Sequence, residues 1–332
     1  MGAYQSTAGG ASFRDFTPGL IIFGILELLF GGLCALLALL MVVNILLSSA
    51  IETPGAPMNA QMMVPGLLFY GLLAAWFITM GIGSMLARRW ARTLVLVSSW
   101  VWLICGIAGL IAMVAIMPAM MGQMGSAERM PQGFATVMMA FMYGFLLFFY
   151  ILIPGALVLF FGNRNVKATC EFKDPVVRWT DHCPLPVLAL CLLFAIWGGS
   201  LLMMGSYGWI FPVFGHIVSG APGAILCLAL ATAFGVAAWG AYRLDIRAWW
   251  GALILFAVWF ASLSVTFIHV GFVGYMDALY ERMSLPPAQM DMVRGLMASR
   301  GSALAGFGVV WCVAFLGYLF YVRRYFVHSA KS

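Results

Sequence analysis

The chain has 332 residues, of which 64% are hydrophobic and only 8% charged, with a formal net charge of +6. A water-facing surface needs about a quarter of its residues charged, so a soluble globular domain is excluded and the bilayer is the expected solvent. The basic balance is then a matter of topology and of contact with anionic head groups, which argues against a nucleic-acid partner.

A helix rising ~1.5 Å per residue needs ~20 apolar residues to cross a hydrocarbon core of ~30 Å, and backbone groups in lipid must bond internally. Eight apolar runs meet that requirement: Pro18 to Leu47, Val64 to Leu86, Thr93 to Pro118, Phe134 to Gly162, Pro184 to Met204, Ser219 to Tyr242, Trp249 to Tyr275 and Ser302 to Tyr325. The expected class is all-α, a polytopic helical bundle of eight spans. The first run is too long for a cleaved signal peptide and lacks a small-residue cleavage pattern, so it is expected to be retained.

Glu27 is the only acidic residue placed inside a span, and an intramembrane charge is costly enough to suggest function. It shares a helical face with Gly24, Gly31, Ala35 and Ala38, a stripe that permits close helix approach and turns Glu27 into the bundle. Two readings stand: a protonatable group in a proton or cation path, or a hydrogen-bonded carboxyl securing helix contacts. Phe194 at the equivalent position of the second half favours the latter.

Orientation follows from the Lys and Arg residues, which are retained in cytoplasmic loops. Arg14, then Arg88, Arg89 and Arg92, then Arg164, Lys167, Lys173 and Arg178, then Arg243 and Arg247, and finally Arg323, Arg324 and Lys331 fall on one side. Only Arg129, Arg282, Arg294 and Arg300 fall on the other. Both termini are therefore expected in the cytoplasm.

The second four spans repeat the layout of the first four. Pro65-Gly66, Gly83 and Trp102 recur at one common offset as Pro222-Gly223, Gly240 and Trp259, and Gly31-Gly32 matches Gly198-Gly199. Two tandem four-helix repeats, 18–162 and 184–325, are expected to share one orientation about an axis along the membrane normal. Short tails, 1–17 and 326–332, flank them.

Methionine is concentrated toward the outer side. Met117, Met120, Met121 and Met124 occupy one helical face at and just beyond the outer end of the third span, with His216 and His269 also placed outward. Thioethers suit Cu(I), so these six residues form a candidate soft-metal set; the alternative is that methionine serves there as flexible apolar filler. In the outer loops, Met290, Val293 and Met297 after Pro286-Pro287 line one side of a short helix opposite Gln289, Asp291 and Arg294, the pattern of a segment lying in the membrane plane.

The joint at 163–183 holds Ala168-Thr169-Cys170-Glu171, Asp174-Pro175 and Arg178-Trp179-Thr180-Asp181-His182-Cys183-Pro184-Leu185-Pro186. Asp174-Pro175 favours a turn, Thr180 or Asp181 can cap the fifth helix, and Pro184 suits its first turn. The stretch from Ala168 to Pro186 resembles a linker of uncharacterised bacterial multi-span membrane proteins, a likeness that implies no function. Cys170, His182 and Cys183 are soft ligands but fall short of the four, in paired short spacings, of structural zinc. Asp181-His182-Cys183-Pro184 is similar to a fragment of the Asp-His-His-Cys palmitoyltransferase motif, without its second His or its Cys/His-rich zinc domain. The remaining cysteines, Cys34, Cys105, Cys191, Cys227 and Cys312, lie within spans as small packing residues, and no outer loop holds a thiol.

Enzyme signatures are incomplete: Gly81-Ile82-Gly83-Ser84 lacks the following Gly of a nucleophile elbow, and its Ser84 is placed opposite His269. Phosphate loops, paired membrane carboxylates and the two-His zinc helix are not found. The sequence is read as a non-enzymatic membrane protein, most simply an accessory or assembly component with no resident cofactor. It would contact lipid and a membrane protein partner or a second copy. The alternative is a permease for an apolar solute or for Cu(I).

Overall fold

A computed structural model describes residues 5–8, 11–50, 60–128, 132–283 and 287–329. After a short antiparallel pair, β1 (Gln5–Ala8) and β2 (Ala11–Arg14), come α1 (Thr17–Ala50), α2 (Ala60–Met85) and α3 (Arg89–Glu128). The chain continues through α4 (Gln132–Leu147), a π turn at Phe148–Leu152 and α5 (Ile153–Phe161) to α6 (Arg164–Lys173) in the joint. Then follow α7 (Leu185–Met203), β3 (Phe211–Val213), β4 (His216–Val218), α8 (Ala221–Tyr242), α9 (Ile246–His269), α10 (Gly271–Met283) and α11 (Pro287–Ser329).

Among the described residues eight helical stretches are long and apolar enough to cross a bilayer: Thr17–Leu47, Met63–Met85, Arg89–Val114, Thr136–Phe161, Leu185–Tyr207, Ala221–Tyr242, Ile246–His269 and Ala305–Val327. They coincide in order and number with the eight expected runs. The spans carry far more exposed apolar surface than a soluble protein tolerates. Ile22, Leu26, Leu29, Leu33, Leu36 and Leu40 of α1 are each more than half exposed, whereas Glu27 on the same helix is 5% exposed. Apolar surface outward and polar groups inward is what lipid as solvent selects. The protein is a multi-pass integral membrane protein.

Four local expectations change. The seventh span stops at His269 rather than Tyr275, because Gly271 takes a left-handed φ of +75° and starts α10 as a separate helix. The third helix runs on past Pro118 to Glu128. The short interfacial helix read after Pro286-Pro287 is continuous with the last span in α11; Gly301 costs a helix only about 1 kcal/mol, too little to break it without a proline. Within the fourth span Pro154 cannot donate to the carbonyl of Tyr150, so the ladder resets as the π turn, with Ile153 N–H bonding back to Phe148 O. Tyr150 O then packs against α3 at Gly106, where any Cβ would collide with it.

The chain divides into two compact units, one formed by Met1–Ser99 with Ala156–Leu185 and the other by Trp100–Gly155 with Pro186–Ser332. In the first, α1 and α2 pack closely. A Cβ on Gly24 would stand 2.8 Å from Gly81 O, and one on Gly31 2.9 Å from Ile78 N, so only glycine allows the approach. Phe23, Phe160 and Phe161 close the other side of α1 with ring centroids 4.3–6.0 Å apart. In the second unit Trp197 of α7 sits at the centre of an aromatic core with Phe234 (α8), Phe256 and Trp259 (α9) and Phe315 (α11), at centroid distances of 4.7–6.3 Å. The fully buried Trp249 donates its indole N–H to Leu319 O at 2.8 Å, tying α9 to α11.

The turn joining α2 to α3 and the turn joining α8 to α9 share one conformation, residue for residue, 157 positions apart. Ala87 (φ 51°) and Leu244 (φ 57°) are both left-handed non-glycine residues. Arg88 N–H bonds to Gly83 O at 2.9 Å as Asp245 N–H bonds to Gly240 O at 3.1 Å. A Cβ on Gly83 would meet that of Ala91 at 2.5 Å, and one on Gly240 would collide with that of Ala248.

Candidate functional site

The two helices that these matching turns introduce are capped differently. In the second unit Asp245 precedes α9, and its carboxylate accepts from Arg247 N–H at 2.9 Å, an ordinary N-cap. The equivalent residue of the first unit is Arg88, which offers no acceptor to the free N–H groups opening α3. The cap comes instead from the joint: Asp174 Oδ2 accepts from Arg89 N–H at 3.3 Å. Asp174 also takes a two-pronged contact from Arg178, Nε at 3.1 Å and Nη2 at 2.7 Å, and lies 3.7 Å from Arg88 Nη1. Its side chain is 2% exposed. Arg89 reaches Glu171 at 3.5 Å and Asp181 at 3.7 Å, and Lys167 reaches Glu171 at 3.7 Å.

This latch holds the joint against the α2–α3 turn. Chiefly the Arg178 hydrogen bond, against the opposing effect of burial, and further the Arg89 N–H and the Arg178 and Arg88 charges, hold the Asp174 carboxyl below its usual value of 3.8. Asn163 caps α6 through Asn165 N–H at 2.8 Å, and Thr169 Oγ1 accepts from Phe16 N–H at 3.1 Å, fastening α6 to the entry of α1. Asp181 turns back on Arg178 N–H at 2.9 Å within a 3-10 turn, Trp179–Asp181, rather than capping α7. Thr180 is buried with its hydroxyl unbonded, so neither residue performs the expected cap, and Pro184 directly precedes α7.

In the joint, Cys170 is 1% exposed and Cys183 buried, while His182 is exposed. Burial pushes the Cys170 thiol up from 9.0 to about 11, with the nearby Arg92 charge pulling the other way. At pH 8 this shift lowers the thiolate fraction roughly a hundredfold. Alkylation of Cys170 by iodoacetamide, followed by mass spectrometry, is therefore expected to be at least that much slower in the folded chain than after denaturation; rapid labelling would mean that α6 is not packed as described. No three His, Cys, Asp or Glu side chains gather at metal-holding distance among the described residues.

Glu27 points into the α1–α2 contact as expected, and Ser84 Oγ of α2 donates to its Oε2 at 2.9 Å. Ser84 is 1% exposed. The pair sits beside Gly24 and Gly81, where the two backbones approach.

Of the six candidate metal residues, Met117 is buried in α3, at 7% exposure. The side chains of Met120, Met121 and Met124 lie outside the described residues. His216 is exposed on β4, and His269 is exposed at the end of α9 with Nδ1 3.0 Å from Val265 O. His216 follows a turn that packs against His269: a Cβ on Gly215, at that turn, would lie 3.6 Å from the His269 ring.

That turn belongs to the β3–β4 hairpin, in the segment between the fifth and sixth expected spans. Phe214 (φ 40°) and Gly215 (φ 91°) form its two-residue corner, both left-handed. Ser262 Oγ accepts from Phe214 N–H at 3.1 Å and Thr266 Oγ1 from Gly215 N–H at 3.0 Å, so α9 supplies the acceptors that the corner lacks. Thr266→Val leaves the half-buried Gly215 N–H without its acceptor and is expected to cost about 1 kcal/mol. Hydrogen exchange at Gly215 should speed up correspondingly, and unchanged exchange would remove the clamp.

The chain matches no protein-family description, no curated protein and no solved structure.

Proposed function

We propose that this integral membrane protein acts without catalysis, as an accessory or assembly component of a membrane complex. One observation carries the reading. Glu27, the single carboxylate within the spans, is consumed by Ser84 at a helix contact, an arrangement suited to fixing helices rather than to moving a solute. The two matching turns 157 residues apart support a tandem duplication of the four-span unit. The excess of Lys and Arg on one set of loops supports cytoplasmic termini, and the reading sets the protein in a cell inner membrane. The partner is a second membrane protein or a second copy of this chain.

Affinity purification of the full chain from native membranes tests this: a stoichiometric co-purifying membrane protein, or a defined homo-oligomer, is the expected result. A monodisperse monomer that catalyses proton-coupled flux in proteoliposomes, lost in Glu27→Gln, would replace the proposal. One second reading, a soft-metal permease, is favoured by the hairpin turn before His216 packing against the His269 ring with both histidines exposed. Copper content of the purified chain, wild type against a variant with Met117, Met120, Met121 and Met124 all changed to Leu, decides it: a loss of bound copper supports the permease, and no difference removes it.

A further inference from the structure

Within the first unit a groove of about 660 Å³ opens between α2, α3 and the segment after α6, and the Glu27–Ser84 contact does not use it. Arg178 and Trp179 line it at the joint, Trp90 and Trp76 line its walls, and Ala75 and Leu72 continue it along α2. Leu72 is 63% exposed and lies seven residues before Thr79, which places it ~10 Å deeper into the apolar span. The groove thus runs from a guanidinium, past three indoles, to lipid-facing aliphatic surface.

Arg178 is the charged residue lining the groove, and the ion-pair cluster to which it belongs carries a charge surplus. Arg88, Arg89, Arg92, Arg178 and Lys167 face Glu171, Asp174 and Asp181, leaving two positive charges in excess. Buried Nε atoms of Arg89 and Arg92 have no hydrogen-bond partner. Indoles favour the head-group level of a bilayer, and surplus cations there attract anionic lipid. A peptide is a poor occupant, because its backbone N–H and C=O groups would be unsatisfied at the depth of Leu72. A lipid tail has no such groups.

We propose that this groove is a binding site for an anionic membrane phospholipid, with its phosphate at the Arg178 end and one acyl chain along Trp76, Ala75 and Leu72. The chemistry requires both parts of the molecule: phosphate alone would leave the apolar length empty, and a zwitterionic lipid would not answer the surplus charge.

Native mass spectrometry of the full chain, after exchange into mixed micelles with equimolar phosphatidylglycerol and phosphatidylcholine, tests the site. The wild type is expected to retain phosphatidylglycerol preferentially by about fivefold, the discrimination that one interfacial cation confers. Ala75→Trp fills the groove without touching a charge and should abolish the preference. Brominated-acyl phosphatidylglycerol should quench tryptophan fluorescence of the wild type more than brominated phosphatidylcholine, a readout that holds even if Ala75→Trp does not fold. Equal retention of the two lipids, equal quenching, or an unchanged preference in a folded Ala75→Trp chain would overturn the proposal. So would stabilisation by inorganic phosphate equal to that by phosphatidylglycerol.

Discussion

Gly81→Val is expected to separate α1 from α2 and to be strongly damaging to the first unit. A Cβ there would stand 2.7 Å from Gly24 O and 2.8 Å from Leu28 Cγ, and the first of these is backbone, which cannot rotate away. Overpacking alone costs about 1–3 kcal/mol, and helices in lipid have no hydrophobic drive to restore the contact once it opens. The same separation takes Ser84 from Glu27, leaving a carboxyl in an apolar interior without its 2.9 Å donor, which adds about 1–3 kcal/mol. A combined loss of about 4 kcal/mol should appear as a much lower apparent Tm and poor recovery of monodisperse protein in mild detergent. Gly32→Val is the matched control: a Cβ at Gly32 meets nothing within 4 Å, so near-normal behaviour is expected. If the two variants melted together, the close approach at Gly81 would not be what holds these helices.

The stripe that makes this prediction was legible before any coordinates, since Gly24, Glu27 and Gly31 share a helical face by spacing alone. Ser84 as the partner of Glu27 was not, because helical periodicity places a residue on a face of its own helix and says nothing about which neighbour it meets. All eight spans were legible for the simplest reason: lipid demands long uninterrupted apolar runs, and few other structures produce them. The β3–β4 hairpin was hidden by its composition. Phe211, Pro212, Val213 and Phe214 look like the fraying end of a span, and the acceptors that hold its corner, Ser262 and Thr266, lie about fifty residues away. Asp174 had a local meaning, a turn before proline, that concealed a distant one. The signal was present in the repeat: Asp245 is a natural N-cap and its counterpart Arg88 is not, so α3 needed an acceptor from elsewhere.

Asp174→Ala is expected to release the joint from the α2–α3 turn. It removes the N-cap of α3 and the common partner of Arg178 and Arg88, at a cost of about 2 kcal/mol, held down because both arginines are a third or more exposed and solvent screens them. For a unit of this size that corresponds to roughly 4–8 °C in apparent Tm. The second unit supplies the rescue. Adding Arg88→Asp to Asp174→Ala gives α3 its own cap in the manner of Asp245, and should recover part of the loss, whereas a purely electrostatic latch would gain nothing from it. Acid separates charge from packing. The Asp174 carboxyl is held below 3.8 in the folded chain, so its contribution is fully present above that value and disappears as pH falls through the lower folded value. The Tm gap between wild type and Asp174→Asn should therefore stay constant from neutral pH down to about pH 5 and close below about pH 4. A gap that persisted at the lowest pH would mean that the carboxylate charge is not what fastens the joint.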